Sequence, residues 1–194
     1  MELPKFNQLT LVLGLLMLLG SCSIEKAPEV KIEEGYVLGS TYQIRYDALE
    51  DSLCIRQEIQ KVFQDINQSL STYLPTSDLS AINWGDTNKV VDAYFKEVYT
   101  TAKDVWRQTE GYFDPTIGGL IDAWGFGSSK ALSSMGNNQV DSLMEYIGFG
   151  KVYLSNDNRV IKENIQTKLN FNALIKGYTV DLVARVLDEN GVEN

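Results

Sequence analysis

Apolar positions in this chain recur with two periods, and each period names an element. Ile55, Ile59, Val62, Phe63, Ile66 and Leu70 repeat at helical spacing with Arg, Gln, Glu and Lys between them, predicting an amphipathic helix over residues 53–70. Val91, Phe95, Val98, Ala102, Val105 and Trp106 predict a second over residues 90–109, with Gly111 placed as its left-handed C-terminal residue. Val140, Leu143, Met144 and Ile147 mark a short helix closed by Gly148, and Val180, Val183, Ala184 and Leu187 a last one ended by Gly191. Period two appears in Tyr42, Ile44 and Tyr46, so residues 35–46 read as two short strands around a Gly-Ser turn. Residues 151–154 and 159–162 read as a hairpin around Asn156-Asp157-Asn158, and Leu169-Asn170-Phe171 as a third strand. Ser77 is placed to cap a short helix that Asp78 supports through the dipole. Strands and helices without regular alternation predict an α+β domain, a mixed sheet with packed helices.

The N-terminus follows a different pattern. After Lys5, residues 9–19 are almost wholly apolar, too short to span a roughly 30 Å hydrocarbon core comfortably but suited to a signal-peptide core. The run ends in Leu19-Gly20-Ser21-Cys22, which resembles the bacterial lipobox, where cleavage precedes a lipidated cysteine. That resemblance implies a signal peptide over residues 1–21 and a lipid anchor on Cys22. Residues 22–34 then read as a polar tether and 35–194 as one domain, anchored in the bacterial cell envelope and facing the periplasm. With Cys22 lipidated, Cys54 is the one other cysteine, so no intrachain disulfide forms and the core must hold the fold.

Composition changes the picture in two places. With 44% hydrophobic and 22% charged residues the 194-residue chain is globular, and its net charge of -9 argues against a nucleic-acid partner, whose affinity would rest on clustered Lys and Arg. The chain contains no histidine, so neither histidine acid–base chemistry nor histidine metal ligation is available from it.

Candidate chemistry concentrates in two stretches. Residues 111–127 hold five glycines, Pro115 and the aromatics Tyr112, Phe113, Trp124 and Phe126 around Asp114. Glycines open backbone conformations closed to other residues, and flat side chains supply stacking faces, so the stretch could frame a flat, heterocyclic, phosphate-bearing ligand or fill a core as a turn-rich crossover. In residues 169–181 a strand runs into a helix with Lys176 and Gly177 at the junction, which suits an anion.

The first stretch, with Gly-Tyr-Phe-Asp-Pro-Thr-Ile-Gly and then Trp-Gly-Phe-Gly, resembles the signature of the FAD:protein FMN transferases, the ApbE or thiamine-biosynthesis lipoprotein family. Three further segments are similar to that family: Leu38-Gly39-Ser40-Thr41-Tyr42, where Leu38 replaces a usual methionine; residues 70–83 around Tyr73; and residues 169–181, where Asn170 replaces a usual aspartate. The resemblance implies an FAD site lined by Tyr112, Phe113 and Asp114, with Leu38 and Tyr73 closing on the flavin, and with Asn170 and Lys176 on the cofactor. It implies Mg²⁺ held in part by the backbone carbonyl of Ala173. The implied reaction moves FMN from FAD to a threonine hydroxyl of a target protein, a membrane redox subunit, and leaves AMP. The family's other Mg²⁺ ligands, an Asp-x-x-Thr beside a histidine, lie C-terminal to the resemblance, which runs from Gly35 to Asn194. The domain is therefore expected to be C-terminally incomplete, its catalytic residues lying beyond it. Two other functions fit the same features: an FAD-binding or FAD-hydrolysing flavin-trafficking lipoprotein, and a non-enzymatic acidic interaction lipoprotein.

Overall fold

The structure is a computed structural model that describes residues 29–47, 52–127 and 136–192. The expected signal peptide, Cys22 and the start of the tether lie outside those residues.

Strand β1 (Val30–Val37) pairs antiparallel with β2 (Ser40–Asp47) from Val30↔Asp47 to Val37↔Ser40. The expected tether is therefore too long: residues 30–34 are strand, and the domain starts before Gly35. The polarity of this segment misled because Glu33 points inward, with a side chain 12% exposed, and pairs with Arg56 at 2.8 Å. Val30 and Ile32 take the open face. Helix α1 (Ser52–Leu70) follows with its predicted stripe buried, Ile55, Ile59, Ile66 and Leu70 among the least exposed residues. Short α2 (Asp78–Asn83) begins at Ser77, whose side chain accepts from the Ser80 N–H as expected of a cap. Helix α3 (Ala93–Gln108) starts later than expected because Asp92 caps it, accepting from Phe95 N at 2.8 Å, while Val90 and Val91 bond in extended form to the 158–159 turn.

Helix α4 (Gly118–Ala123), α5 (Asn137–Met144), a 3-10 turn at Phe149–Lys151, the hairpin β3 (Val152–Leu154) and β4 (Val160–Lys162), and α6 (Asn172–Glu189) complete the order. In place of one mixed sheet, the described strands form two separate antiparallel pairs. Leu169–Phe171 is not a third strand. Next to it, Lys168 makes one parallel bridge to Ile117, and the segment's backbone is satisfied by side chains and loops. On α6 the buried face is Ile175, Thr179, Leu182 and Val183, whereas Val180, expected on the stripe, is 66% exposed.

Two apolar clusters hold these parts. The larger joins α1, α3 and α6 around Phe95, Phe149 and Phe171, each fully buried, with Phe171 5.7 Å from Phe95 and 6.5 Å from Phe149 in edge-on geometry. Truncating any of the three to alanine removes burial worth about 3–5 kcal/mol. The smaller, around Tyr46, Ile55, Ile59, Phe63 and Val183, pins the β1–β2 hairpin onto α1 and α6. Helix α6 is thereby held between hairpin and core, through Ile175 and Leu182 on one side and Val183 on the other.

Candidate functional site

The β1–β2 hairpin turns on two residues, Leu38 and Gly39, both with positive φ (51° and 73°). This is the geometry that matches strand twist, but leucine pays for it with strain of order 1 kcal/mol. Leu38 is thus held at the turn tip, on the wall of a cleft of about 780 Å³.

The opposite wall comes from the corner after α1. Ser71 Oγ accepts from the N–H groups of Tyr73 and Leu74 at 3.1 and 3.0 Å, and the Ser71 carbonyl accepts from the hydroxyls of Ser77 and Ser80 at 2.5 and 3.1 Å. That knot sets Thr72 and Tyr73 toward the cleft. Tyr73 is 57% exposed, and its hydroxyl donates to the Phe126 carbonyl at 3.0 Å.

The third wall is the first turns of α6, with Asn172, Ile175 and Lys176. Lys176 lies in the second turn and not at the junction, since the helix starts at Asn172. Among the described residues lining the cleft, Lys176 carries the only charge, and the first turn of this 18-residue helix holds no acid. A helix start of this kind presents N–H groups and positive potential to an anion.

The segment entering α6 is clamped residue by residue. Lys162 donates its ammonium group to the carbonyls of Ile82, Ile165 and Thr167 at 2.9, 3.1 and 2.9 Å. Asn83 takes both backbone groups of Leu169 at 2.8 Å. The Gly118 N–H donates to the Lys168 carbonyl at 3.1 Å, and Asn170 N–H donates to the Pro115 carbonyl at 2.7 Å. Gly118 is required there, because a Cβ would stand 2.7 Å from the Lys168 oxygen. Burial, and then the neighbouring Lys168 charge, pull Lys162 down to about 8. Lys168 itself pairs with Asp122 at 2.7 Å. Through these bonds the two stretches singled out by sequence, 111–127 and 169–181, meet.

Of the expected site residues, Leu38, Tyr73 and Lys176 line the cleft together. Asn170 lines a polar niche beside it with Asn83, Asp122 and Lys168, and Thr72 borders both spaces. The Asn170 amide oxygen accepts from Asn172 N–H at 2.9 Å, a local turn just ahead of the N-cap Phe171. Ala173 is exposed in the first turn of α6. Tyr112, Phe113 and Asp114, expected to line the FAD site, are not on the wall of this cleft. Tyr112 is 96% exposed at the end of α3, Phe113 packs against the main core, and Asp114 accepts from Thr116 N, Thr116 Oγ1 and Phe149 N at 2.8, 2.5 and 3.0 Å. A carboxylate beside a proline turn is drawn to the nearest unpaired N–H groups, and here the 148–149 turn supplies one. Sequence reasoning passed over Thr72, Asn83, Lys162, Lys168 and Asn172. Thr72, Asn83 and Asn172 each lie within motifs already noted, whereas Lys162 and Lys168 fall outside them and join the site through contacts such as Lys162 to the Ile82 carbonyl and Lys168 to Asp122.

Tyrosine faces, a glycine-bearing turn and a helix start with one lysine thus wall one open cleft of an α+β domain. The chain belongs to the ApbE family, whose profile matches residues 38–194. It is 30% identical over 189 residues to an FAD:protein FMN transferase of Vibrio cholerae, covering 94% of this chain and 55% of that protein. It is 27% identical to the FAD:protein FMN transferase of Haemophilus influenzae, covering 94% and 56%. The solved flavin transferase ApbE of Vibrio cholerae superposes with a TM-score of 0.80 at 26% identity, covering 86% of this chain and 56% of that one. The apo flavinyl transferase ApbE of Pseudomonas stutzeri, at 24% identity and a TM-score of 0.77, shares the fold. The chain spans about half the length of the curated relatives it matches.

Proposed function

We propose that this chain supplies the FAD-binding part of an FAD:protein FMN transferase. The observation that carries the reading is the convergence of Leu38, Tyr73 and Lys176 on one cleft at the start of α6. The N-terminal N–H groups of α6 and the Lys176 ammonium receive the pyrophosphate, Leu38 and Tyr73 close on the isoalloxazine ring, and Asn170 holds the helix start in place. The 112–114 turn supports the site from behind, through Asp114 and its bonds to the 148–149 turn.

In the proposed reaction a threonine hydroxyl of the target protein attacks the FMN phosphorus of FAD. The new Oγ–P bond forms as the bond to the bridging pyrophosphate oxygen breaks, and AMP leaves with that oxygen. The hydroxyl proton passes to solvent water as AMP departs. The reaction is proposed to depend on Mg²⁺, with the Ala173 carbonyl as one ligand. No carboxylate lines the cleft among the described residues, and they gather no group of three or more acidic or cysteine side chains that could hold a metal. Such a donor set does not by itself make a Mg²⁺ site. The target is proposed to be a membrane redox subunit. The protein is proposed to reach it from a lipid anchor on Cys22 in the cell envelope, facing the periplasm. No helix of the described residues is long and apolar enough to cross a membrane.

The test titrates the chain into FAD and follows flavin fluorescence, then adds Mg²⁺ and a threonine-bearing acceptor and looks for covalent flavin by mass. Binding that changes the fluorescence and is competed by ADP is expected. Unchanged fluorescence at high protein concentration sinks the reading.

A further inference from the structure

Four hydroxyls crowd the corner after α1. Ser71 accepts from two N–H groups, while Ser77 and Ser80 both donate to the Ser71 carbonyl. The fourth, Thr72 Oγ1, is buried without a hydrogen-bond partner. A buried hydroxyl left unpaired is costly, and a fold that pairs its three neighbours but not this one asks for a use. Thr72 is also the residue that lines both the 780 Å³ cleft and the polar niche beside it. Lys176 stands on its cleft side and Lys168 on its niche side, and the niche's one acid, Asp122, is ion-paired with Lys168 at 2.7 Å. The surroundings of the orphan hydroxyl therefore favour an anionic acceptor.

Resting on the cleft reading above, we propose that Thr72 is a further ligand-binding residue, its hydroxyl donating to a pyrophosphate oxygen of FAD. The Ser71 knot fixes the backbone on which it stands. The oxygen is buried, and reaching a ligand in the cleft takes a χ1 step between staggered wells, of which threonine uses more than one.

Thr72→Val tests this, because it removes the hydroxyl and keeps the β-branched shape. Its Tm without ligand should equal or exceed that of the unsubstituted chain. Its Kd for FAD, and for ADP in competition, should rise about tenfold, the loss expected for a hydrogen bond to a charged group. Thr72→Ser should restore both affinities. Equal FAD binding by Thr72→Val and the unsubstituted chain overturns the proposal, as does a loss for FAD that spares ADP. A lower Tm without ligand overturns it too, since the hydroxyl would then serve the fold. Failure of the unsubstituted chain to bind FAD overturns instead the cleft reading on which the proposal stands.

Discussion

Removing the Asp114 carboxylate should damage the fold before it damages any ligand site. Its two oxygens accept from the N–H groups of Thr116 and Phe149 and from the Thr116 hydroxyl, which in turn accepts from Gly148 N at 2.8 Å. Thr116 is 2% exposed and Phe149 fully buried, so water cannot replace the lost acceptor. Each stranded N–H costs about 1–3 kcal/mol, and the pair about 2–6 kcal/mol in Asp114→Ala. For a domain of this size each kcal/mol moves Tm by about 2–4 °C, which places the drop on the order of 10 °C. Phe149 belongs to the aromatic core cluster, so slackening its turn also loosens contacts with Tyr99 and Phe171. Asp114→Asn keeps one acceptor oxygen but presents an NH₂ to a donor, and should lose about half as much. Thermal unfolding followed by circular dichroism measures this, with Tyr112→Ala, 96% exposed, as a neighbouring control that should stay near wild type. An Asp114→Ala protein that melts within about 2 °C of wild type would refute the anchoring role.

Three further outcomes are expected. Lys176→Ala should weaken FAD binding about tenfold by fluorescence titration while leaving Tm unchanged, because the side chain is exposed; an unchanged Kd removes the lysine from the anion site. Lys162, held at about 8 by burial and Lys168, releases its proton in the folded chain while the unfolded chain, at about 10.5, still keeps it. Stability relative to Lys162→Met should therefore rise as pH climbs from about 8 to 10.5, and level off at its lower value below about 8, where both states hold the proton. A difference in unfolding free energy that stays flat across that window contradicts the buried placement. Cys22→Ala should abolish signal cleavage before residue 22 and shift the protein out of the membrane fraction, and unchanged processing and fractionation would remove the anchor.

Local patterns carried much of the fold. The stripe of α1, the Ser77 cap, the 151–162 hairpin and the alternation of Tyr42, Ile44 and Tyr46 are near-neighbour effects, because helix and strand periods put those side chains on one face whatever else the chain does. The segments around Leu38 and Tyr73 stood out only by their resemblance to family motifs, and Lys176 also as a lysine where a strand was expected to run into a helix. Tertiary structure decided where inward-facing charge lies, as with Glu33 on Arg56, which turned an apparent tether into a strand. It also decided how residues 168–170 are satisfied, since Asn83, 86 residues away from Leu169, does the work of a strand partner. The same holds for Asp114, whose neighbours in sequence suggest a ligand but whose partner, the Phe149 N–H, arrives from 35 residues downstream. A polar side chain takes the donor or acceptor that packing brings within about 3 Å, and sequence spacing says nothing about which one that is.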